Sequence, residues 1–191
     1  MDEEQLVTAL KGQDFAAAQE LVDSYGDRLL RSAFSLCGNE TDAQDIVQDT
    51  FLQALRSVHR FQGRSAVYTW LHSILLNLTR HYHRDRKRIV YDDEVAGREA
   101  APPDENPSQL DAGTASSALW QALRQLSAAH REVLVLRYYE DMKIHEIAAQ
   151  LGISKGTVKS RLHYAIGEMQ KLLPGELNLF GGGGTEEMQK R

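Results

Sequence analysis

Apolar residues recur at helical spacing along most of this 191-residue chain, in a series of segments broken by capping and turn residues. Glu3 to Leu10 predicts a short helix. Asp14 is a good cap for a second helix, carrying Phe15, Ala18, Leu21, Val22, Tyr25, Leu29, Leu30, Ala33, Phe34 and Cys37, with Gly38 and Asn39 stopping it. A third helix starts at Thr41 or Asp42 and turns Ala43, Ile46, Val47, Phe51, Ala54, Leu55 and Val58 inward. The stretch from Phe61 to Arg88 opens as a loop, with Gly63 as a hinge and Ser65 as an N-cap. It continues as a helix with Val67, Leu71, Ile74, Leu75, Leu78 and Tyr82 on its apolar face. Residues 96–117, AGREAAPPDENPSQLDAGTASS, hold three of the four prolines and almost no hydrophobic period. Helical spacing then resumes, with Leu119, Trp120, Leu123 and Leu126 inward, and Ser127 capping a helix that carries Val133, Leu134, Leu136, Arg137 and Tyr138.

The pattern predicts an all-α chain of two small helical domains joined by a flexible acidic linker. Residues 1–95 form the first domain, 96–112 the linker, and 113–175 a C-terminal domain with a helix-turn-helix. Residues 176–191, with glycines 181–184, read as a disordered tail. The helix-turn-helix is KIHEIAAQLGISKGTVKSRLHYAIGEMQKLL. Ile144, Ile147, Ala148 and Leu151 make a short amphipathic helix. Gly152 turns the chain, Ile153 fills the corner, and Ser154 caps a second helix with Val158, Leu162, Ala165, Ile166 and Met169 inward. At 100° per residue the far face of that helix holds Gly156, Lys159, Ser160 and His163, flanked by Lys155, Thr157, Arg161 and Tyr164. Lys and Arg donate to guanine edges or phosphates, and Ser and Thr to either.

Composition changes the picture at the first domain. Net charge is −5, which opposes binding to nucleic acid, but the distribution matters more. Residues 1–60 hold eleven acids and five bases, 61–88 six bases and one acid, and 89–111 seven acids and one base. The basic stretch joins aromatic Phe61, Tyr68 and Trp70, then Asn77, to a cationic end with Arg80 and Arg84. Bases stack on aromatic faces and phosphates pair with cations. A basic helix end also suits the helix macrodipole without any ligand. The acidic flanks imply a subunit whose partner supplies the remaining contacts. On the third helix, Asp42, Asp45, Gln48, Asp49, Leu52 and Arg56 form an outward stripe. This reads as a solvated face or as a carboxylate surface, anchored by Leu52, for a basic partner helix.

Other classes drop out. One cysteine, Cys37, excludes an internal disulfide framework and fits a reducing compartment. The acidic start MDEEQ is not a signal peptide, and no apolar run would span a bilayer, so a cytoplasmic protein without membrane insertion is expected. No P-loop, nucleophile elbow or Cys-x-x-Cys is present. His81 and His83 at i, i+2 do not share a helix face, so no metal, cofactor or catalytic residue is expected.

The order of DAQDIVQDTFLQAL, F-x-G-x-S-A-x-YTWL, a basic helix, an acidic linker and EIAAQLGISKGTVKSRLHYA resembles the extracytoplasmic-function (ECF) sigma factors of bacterial RNA polymerase, over about residues 5–173. The resemblance implies a protein of sigma domains two and four that binds core polymerase and directs promoter-specific initiation. Its partners would be the β′ coiled coil, the β flap, promoter DNA and an anti-sigma factor, with the acidic linker in the RNA channel. It implies that Asp45, Gln48, Asp49 and Leu52 dock on the β′ coiled coil. Phe61, Gln62, Gly63, Arg64 and Ser65 would pocket a base flipped from the −10 non-template strand, with Asn77 touching it and Tyr68, Trp70, Arg80 and Arg84 nearby. Lys155, Thr157, Lys159, Ser160, Arg161, His163 and Tyr164 would read the −35 major groove. One well-known branch has Arg-Gly-Asp where Gln62, Gly63 and Arg64 stand here, arginine at Lys159, and Phe-Arg at His163 and Tyr164, so its promoter sequence does not carry across. The alternative is a stand-alone helix-turn-helix regulator, which accounts for residues 118–173 but leaves Phe61 to Arg88 without a task.

Overall fold

The computed structural model describes the backbone of residues 2–95 and 114–173, and the side chains of 2–84 and 118–173. The expected linker core, the Gly-rich tail and the side chains of Arg86, Lys87 and Arg88 lie outside the described residues. All regular structure described is helical. The chain divides into two units, Met1–Asn106 and Pro107–Arg191.

In the first unit α1 is Glu3–Lys11, α2 Phe15–Cys37, α3 Glu40–Ser57 and α4 Val67–Val95, with a short 3-10 turn at Val58–Arg60. Each start has a local cause. Asp2 and Gln5 make a reciprocal capping box on α1, and the Asp14 carboxylate accepts from the Ala16 N–H. Gly38, in the left-handed region at φ 75°, ends α2. Asn39 then caps α3 by accepting from the Asp42 N–H, so α3 starts at Glu40, before the expected Thr41 or Asp42. The expected Ser65 cap does not form. Ala66 supplies the first helical carbonyl of α4, to the Trp70 N–H, and Ser65 lies exposed before it.

The core of this unit is packed from α2, α3 and α4. Leu21, Leu29, Leu71, Leu75 and Leu76 have almost no exposed surface, and each contributes about 1.5–3 kcal/mol through burial. Leu76 and His72 are core residues outside the expected stripe of α4, whereas Leu78 and Tyr82 are only half-buried. His72 is held by a 2.8 Å hydrogen bond to Ser32 on α2, which satisfies a polar ring in the core. Three residues expected inward are exposed: Phe15 at 83%, Val22 at 41% and Leu55 at 38%. Helical spacing sets which residues share a face, not how wide a neighbour covers it.

In the second unit α5 is Thr114–Gln125, α6 Ala128–Leu134, α7 Ile144–Leu151 and α8 Lys155–Leu172. The helix begun at α6 widens into one π-type turn at Val135–Tyr139 before it stops. Among the described side chains of α5, Ala122 is fully buried, as is Leu126 just beyond its end, while Leu119, Trp120 and Leu123 are half-buried. Gly152, at φ 65°, turns α7 into α8. The Ser154 hydroxyl caps α8 by accepting from the Thr157 N–H at 3.0 Å. Val133, Leu136, Ile147, Val158, Leu162, Ala165 and Met169 close the core beneath this turn.

Candidate nucleic-acid interface

Each unit presents one polar surface built on a buried face. In the first unit, Phe61 and Val67 are buried, whereas Gln62, Gly63, Arg64 and Ser65 between them are exposed. The loop thus stands out from the core, pinned at both ends. Gly63 takes φ 69°, a conformation that favours glycine. The Phe61 ring stacks on Trp70 at 4.7 Å between centroids, with 30° between planes. Phe61 therefore supports Trp70 from within and offers little surface of its own. Trp70 remains half-buried at the rim of the loop.

Tyr68 sits in a second cluster. The Arg28 guanidinium lies 3.7 Å above its ring centroid, and Tyr25 and His72 flank it at 6.2 and 5.7 Å. Tyr25 donates to Glu3 Oε1 at 3.1 Å. Partial burial, the charge of Glu3 and that hydrogen bond together raise the phenol above its ordinary value of 10.0. Asn77 is exposed on α4, and Arg80 is half-buried one turn further along. Arg84 donates to His81 Nδ1 at 2.7 Å, and His83 donates to the Leu36 carbonyl at 3.1 Å. The aromatic group, Asn77 and the cations thus follow one another along the described part of α4, as the sequence predicts.

On α3, Asp45, Gln48, Asp49, Leu52 and Arg56 are exposed, with Leu52 at 44%. Asp42, the expected first member of this stripe, instead accepts a hydrogen bond from Tyr82 on α4 and is half-buried. Leu55 adds apolar surface to this helix that its expected inward place would have hidden.

In the second unit, α8 exposes Lys155, Gly156, Ser160, His163 and Tyr164, while Thr157, Lys159 and Arg161 are half-buried along the sides. A Cβ added at Gly156 would meet only the Ser154 hydroxyl, at 3.6 Å, so this face is open. Thr157 shares a 2.9 Å hydrogen bond with Ser154, and Ser160 donates to the Thr157 carbonyl. His130 on α6 donates to Glu168 on α8 at 2.8 Å and stacks with Tyr164 at 6.4 Å. It joins the same surface, although the sequence pattern gave no reason to include it.

The residues missed by sequence reasoning hold these surfaces in place. Glu3 and Lys11 of α1, and Arg28 and Tyr25 of α2, all reach toward the loop or its aromatic cluster. An acid in the first turn and a base in the last turn of α1 are explained by the helix dipole alone, so neither marks a site in the sequence. Among the described residues no cluster of His, Cys, Asp and Glu could hold a metal ion, and no helix is long and apolar enough to cross a membrane.

Comparison with known proteins agrees with this division. Residues 21–89 match Sigma-70 region 2, and residues 122–171 match Sigma-70 region 4. The chain is 38% identical to the ECF RNA polymerase sigma factor SigE of Mycolicibacterium smegmatis over 75% of its own length and 56% of that protein's. It is 35% identical to the ECF RNA polymerase sigma factor SigL of Mycobacterium tuberculosis, over 84% of this chain and 90% of that one. Among solved structures it resembles the sigma factor RpoE of Bartonella quintana, determined in complex with the anti-sigma factor NepR. There the TM-score is 0.69 at 29% identity, covering 84% of this chain and 97% of that one. A region-2 unit with an exposed loop and a region-4 unit with an open helix-turn-helix, matched along 90% of the SigL relative at 35% identity, make this chain a member of the ECF sigma factor family of bacterial RNA polymerase.

Proposed function

We propose that the two units divide promoter recognition between opened and paired DNA, and that core polymerase carries both to their targets. The α8 face from Lys155 to Tyr164 reads the −35 duplex from the major groove. The loop at Phe61–Ser65, with Tyr68, Trp70, Asn77, Arg80 and Arg84, takes a base extruded from the −10 non-template strand. Unstacking a base costs a few kcal/mol, and aromatic stacking returns about 1–3 kcal/mol per base. The balance is thin, so opening proceeds only where the right base fills the loop. Asp45, Gln48, Asp49 and Leu52 dock on the β′ coiled coil, and the second unit on the β flap. The chain contributes recognition and no covalent step, needs no cofactor, and acts in the cytoplasm, where the polymerase works. An anti-sigma factor, such as the one found in complex with the RpoE relative, would bind this chain and hold it inactive.

The observation that carries this reading is the loop. Five consecutive exposed polar or small residues, Gln62 to Ala66, stand between two buried anchors beside a supported tryptophan. That arrangement suits a ligand brought to it and serves no packing purpose. The test is run-off transcription with core polymerase on a randomised promoter library. The expected result is initiation confined to templates that share a −35 and a −10 block. Failure to confer initiation, together with tight binding to duplex by the free chain, would favour a stand-alone regulator.

A further inference from the structure

We infer that α1 is a clamp for the base-reading loop, with Lys11 and Glu3 as its positioning residues. The inference rests on the proposed role of that loop in the −10 strand. The Lys11 ammonium donates to the Phe61 carbonyl at 3.0 Å, where the loop begins. Glu3 Oε2 accepts from the Val67 N–H at 3.3 Å, where the loop ends and α4 begins. The two contacts bracket the loop from residues 50 and 64 positions away in sequence.

Each contact meets a need that the local sequence leaves open. Alanine is among the poorest N-cap residues, and Ala66 leaves the first amides of α4 without a side-chain acceptor of its own. The Glu3 carboxylate supplies that acceptor and places a negative charge at the positive end of α4. Its other oxygen holds Tyr25, so Glu3 is itself fixed by α2. At the opposite end of α1, Lys11 satisfies a carbonyl just past the Val58–Arg60 turn.

Among the described residues no hydrogen bond or ion pair reaches Gln62, Gly63, Arg64 or Ser65 in the middle of the loop. A cavity of about 500 Å³ lies between α1 and the loop, lined on one side by Glu4, Thr8 and Lys11 and on the other by Gln62, Gly63 and Ser65. A Cβ added at Gly63 would meet no atom within 4 Å. A segment without packing beneath it takes its geometry from its ends. The clamp therefore sets the loop before a base arrives, and a preset site loses less in ordering on binding.

The test uses full-length protein with core polymerase and a promoter selected from the randomised library. Lys11→Met and Glu3→Gln are compared with wild type in three assays: core binding, open-complex formation on duplex template, and opening on a template with an abasic site in the −10 non-template strand. We expect Lys11→Met to lower opening roughly ten-fold, in line with loss of a charge-assisted hydrogen bond, and to lose most of the sensitivity to the abasic site. Core binding stays at the wild-type level, and Lys11→Arg restores opening. Glu3→Gln keeps an acceptor but loses the charge, and falls between. Wild-type opening and discrimination in both variants would overturn the clamp while leaving the loop's role intact. Equal losses in core binding and opening would also overturn it, by reducing α1 to a general support. A wild-type protein indifferent to the abasic site would instead sink the reading of the loop itself.

Discussion

Arg131 offers a test of what holds the second unit together. It is 8% exposed, and its guanidinium donates to the carbonyls of Leu123 at 2.9 Å, Arg124 at 2.9 Å and Leu126 at 3.1 Å. These carbonyls lie at the C-terminal end of α5, where the last carbonyls lack i+4 amides (Leu123 keeps a 3.2 Å bond from the Leu126 N–H) and where a cation is favoured by the dipole. Arg131 is thus a C-cap supplied by the next helix, and α6 in turn packs under α8. Replacing it by methionine keeps much of the apolar stem but removes at least these three charge-assisted bonds and leaves the carbonyls poorly hydrated. Each such bond contributes about 1.5–3 kcal/mol net, and the three share one group, so the sum is not additive. We expect a loss of about 3 kcal/mol, a large part of a small unit's stability.

The two tryptophans make that loss readable, because Trp70 belongs to the first unit and Trp120 to the second. In a Trp70→Phe background, fluorescence reports the second unit alone. With a urea slope of about 1.5 kcal/mol/M, Arg131→Met should lower its midpoint by about 2 M. Arg131→Lys should recover only part of this, since an ammonium cannot fork across three carbonyls. A midpoint shift below about 0.3 M would refute the assignment, because it falls within the range of ordinary surface substitutions. So would an equal shift of the Trp70 transition in the complementary Trp120→Phe background, which would tie Arg131 to the wrong unit.

Two further outcomes follow from single residues. Tyr25 has its phenol raised above 10.0, so the folded state keeps the proton more tightly than the unfolded chain does. The stability this gives is complete below pH 10 and is lost as pH rises through the folded-state value. Tyr25→Phe should therefore flatten the alkaline limb of stability against pH in the Trp70 transition, and an unchanged limb would contradict the burial of the phenol beside Glu3. At Gly152 the backbone holds φ 65° and an added Cβ would meet nothing within 4 Å, so Gly152→Ala should cost about 1 kcal/mol from backbone strain alone. Gly152→Asn should cost less, read from the midpoint of the Trp120 transition.

Much of this fold was legible because its determinants are local. Asp14, Gly38, Ser127, Gly152 and Ser154 each act on amides or carbonyls within a few residues, and each marks an element end as expected. The outward face of α8 follows largely from a fixed angle per residue: Gly156, Ser160 and His163 are exposed as expected, whereas Lys159 is half-buried at the side and Tyr164, expected at the flank, is exposed. The errors arise where an element meets a neighbour that sequence spacing cannot measure. Phe15, Val22 and Leu55 fit the apolar period but are exposed, and Leu76 and His72 lie beside the period but are covered. Asp42 fits the acidic stripe, yet Tyr82, forty residues on, bonds it and leaves it half-buried.

The same distinction governs the candidate site. The residues that would touch a ligand are written close together, from Phe61 to Arg84, because one helix and its leading loop carry them. The residues that hold them are not, because a carbonyl or an amide accepts help from any side chain that folding brings near. Ser65 looked like the cap of α4 by adjacency alone, while the carboxylate that meets Val67 comes from the first turn of the chain. A swap of the loop's proposed recognition residues into a relative would therefore transfer the contacts without their support. If α1 is the clamp proposed above, Glu3 and Lys11, which bond the two ends of the loop, must travel with Gln62 and Arg64 for the loop to keep its shape.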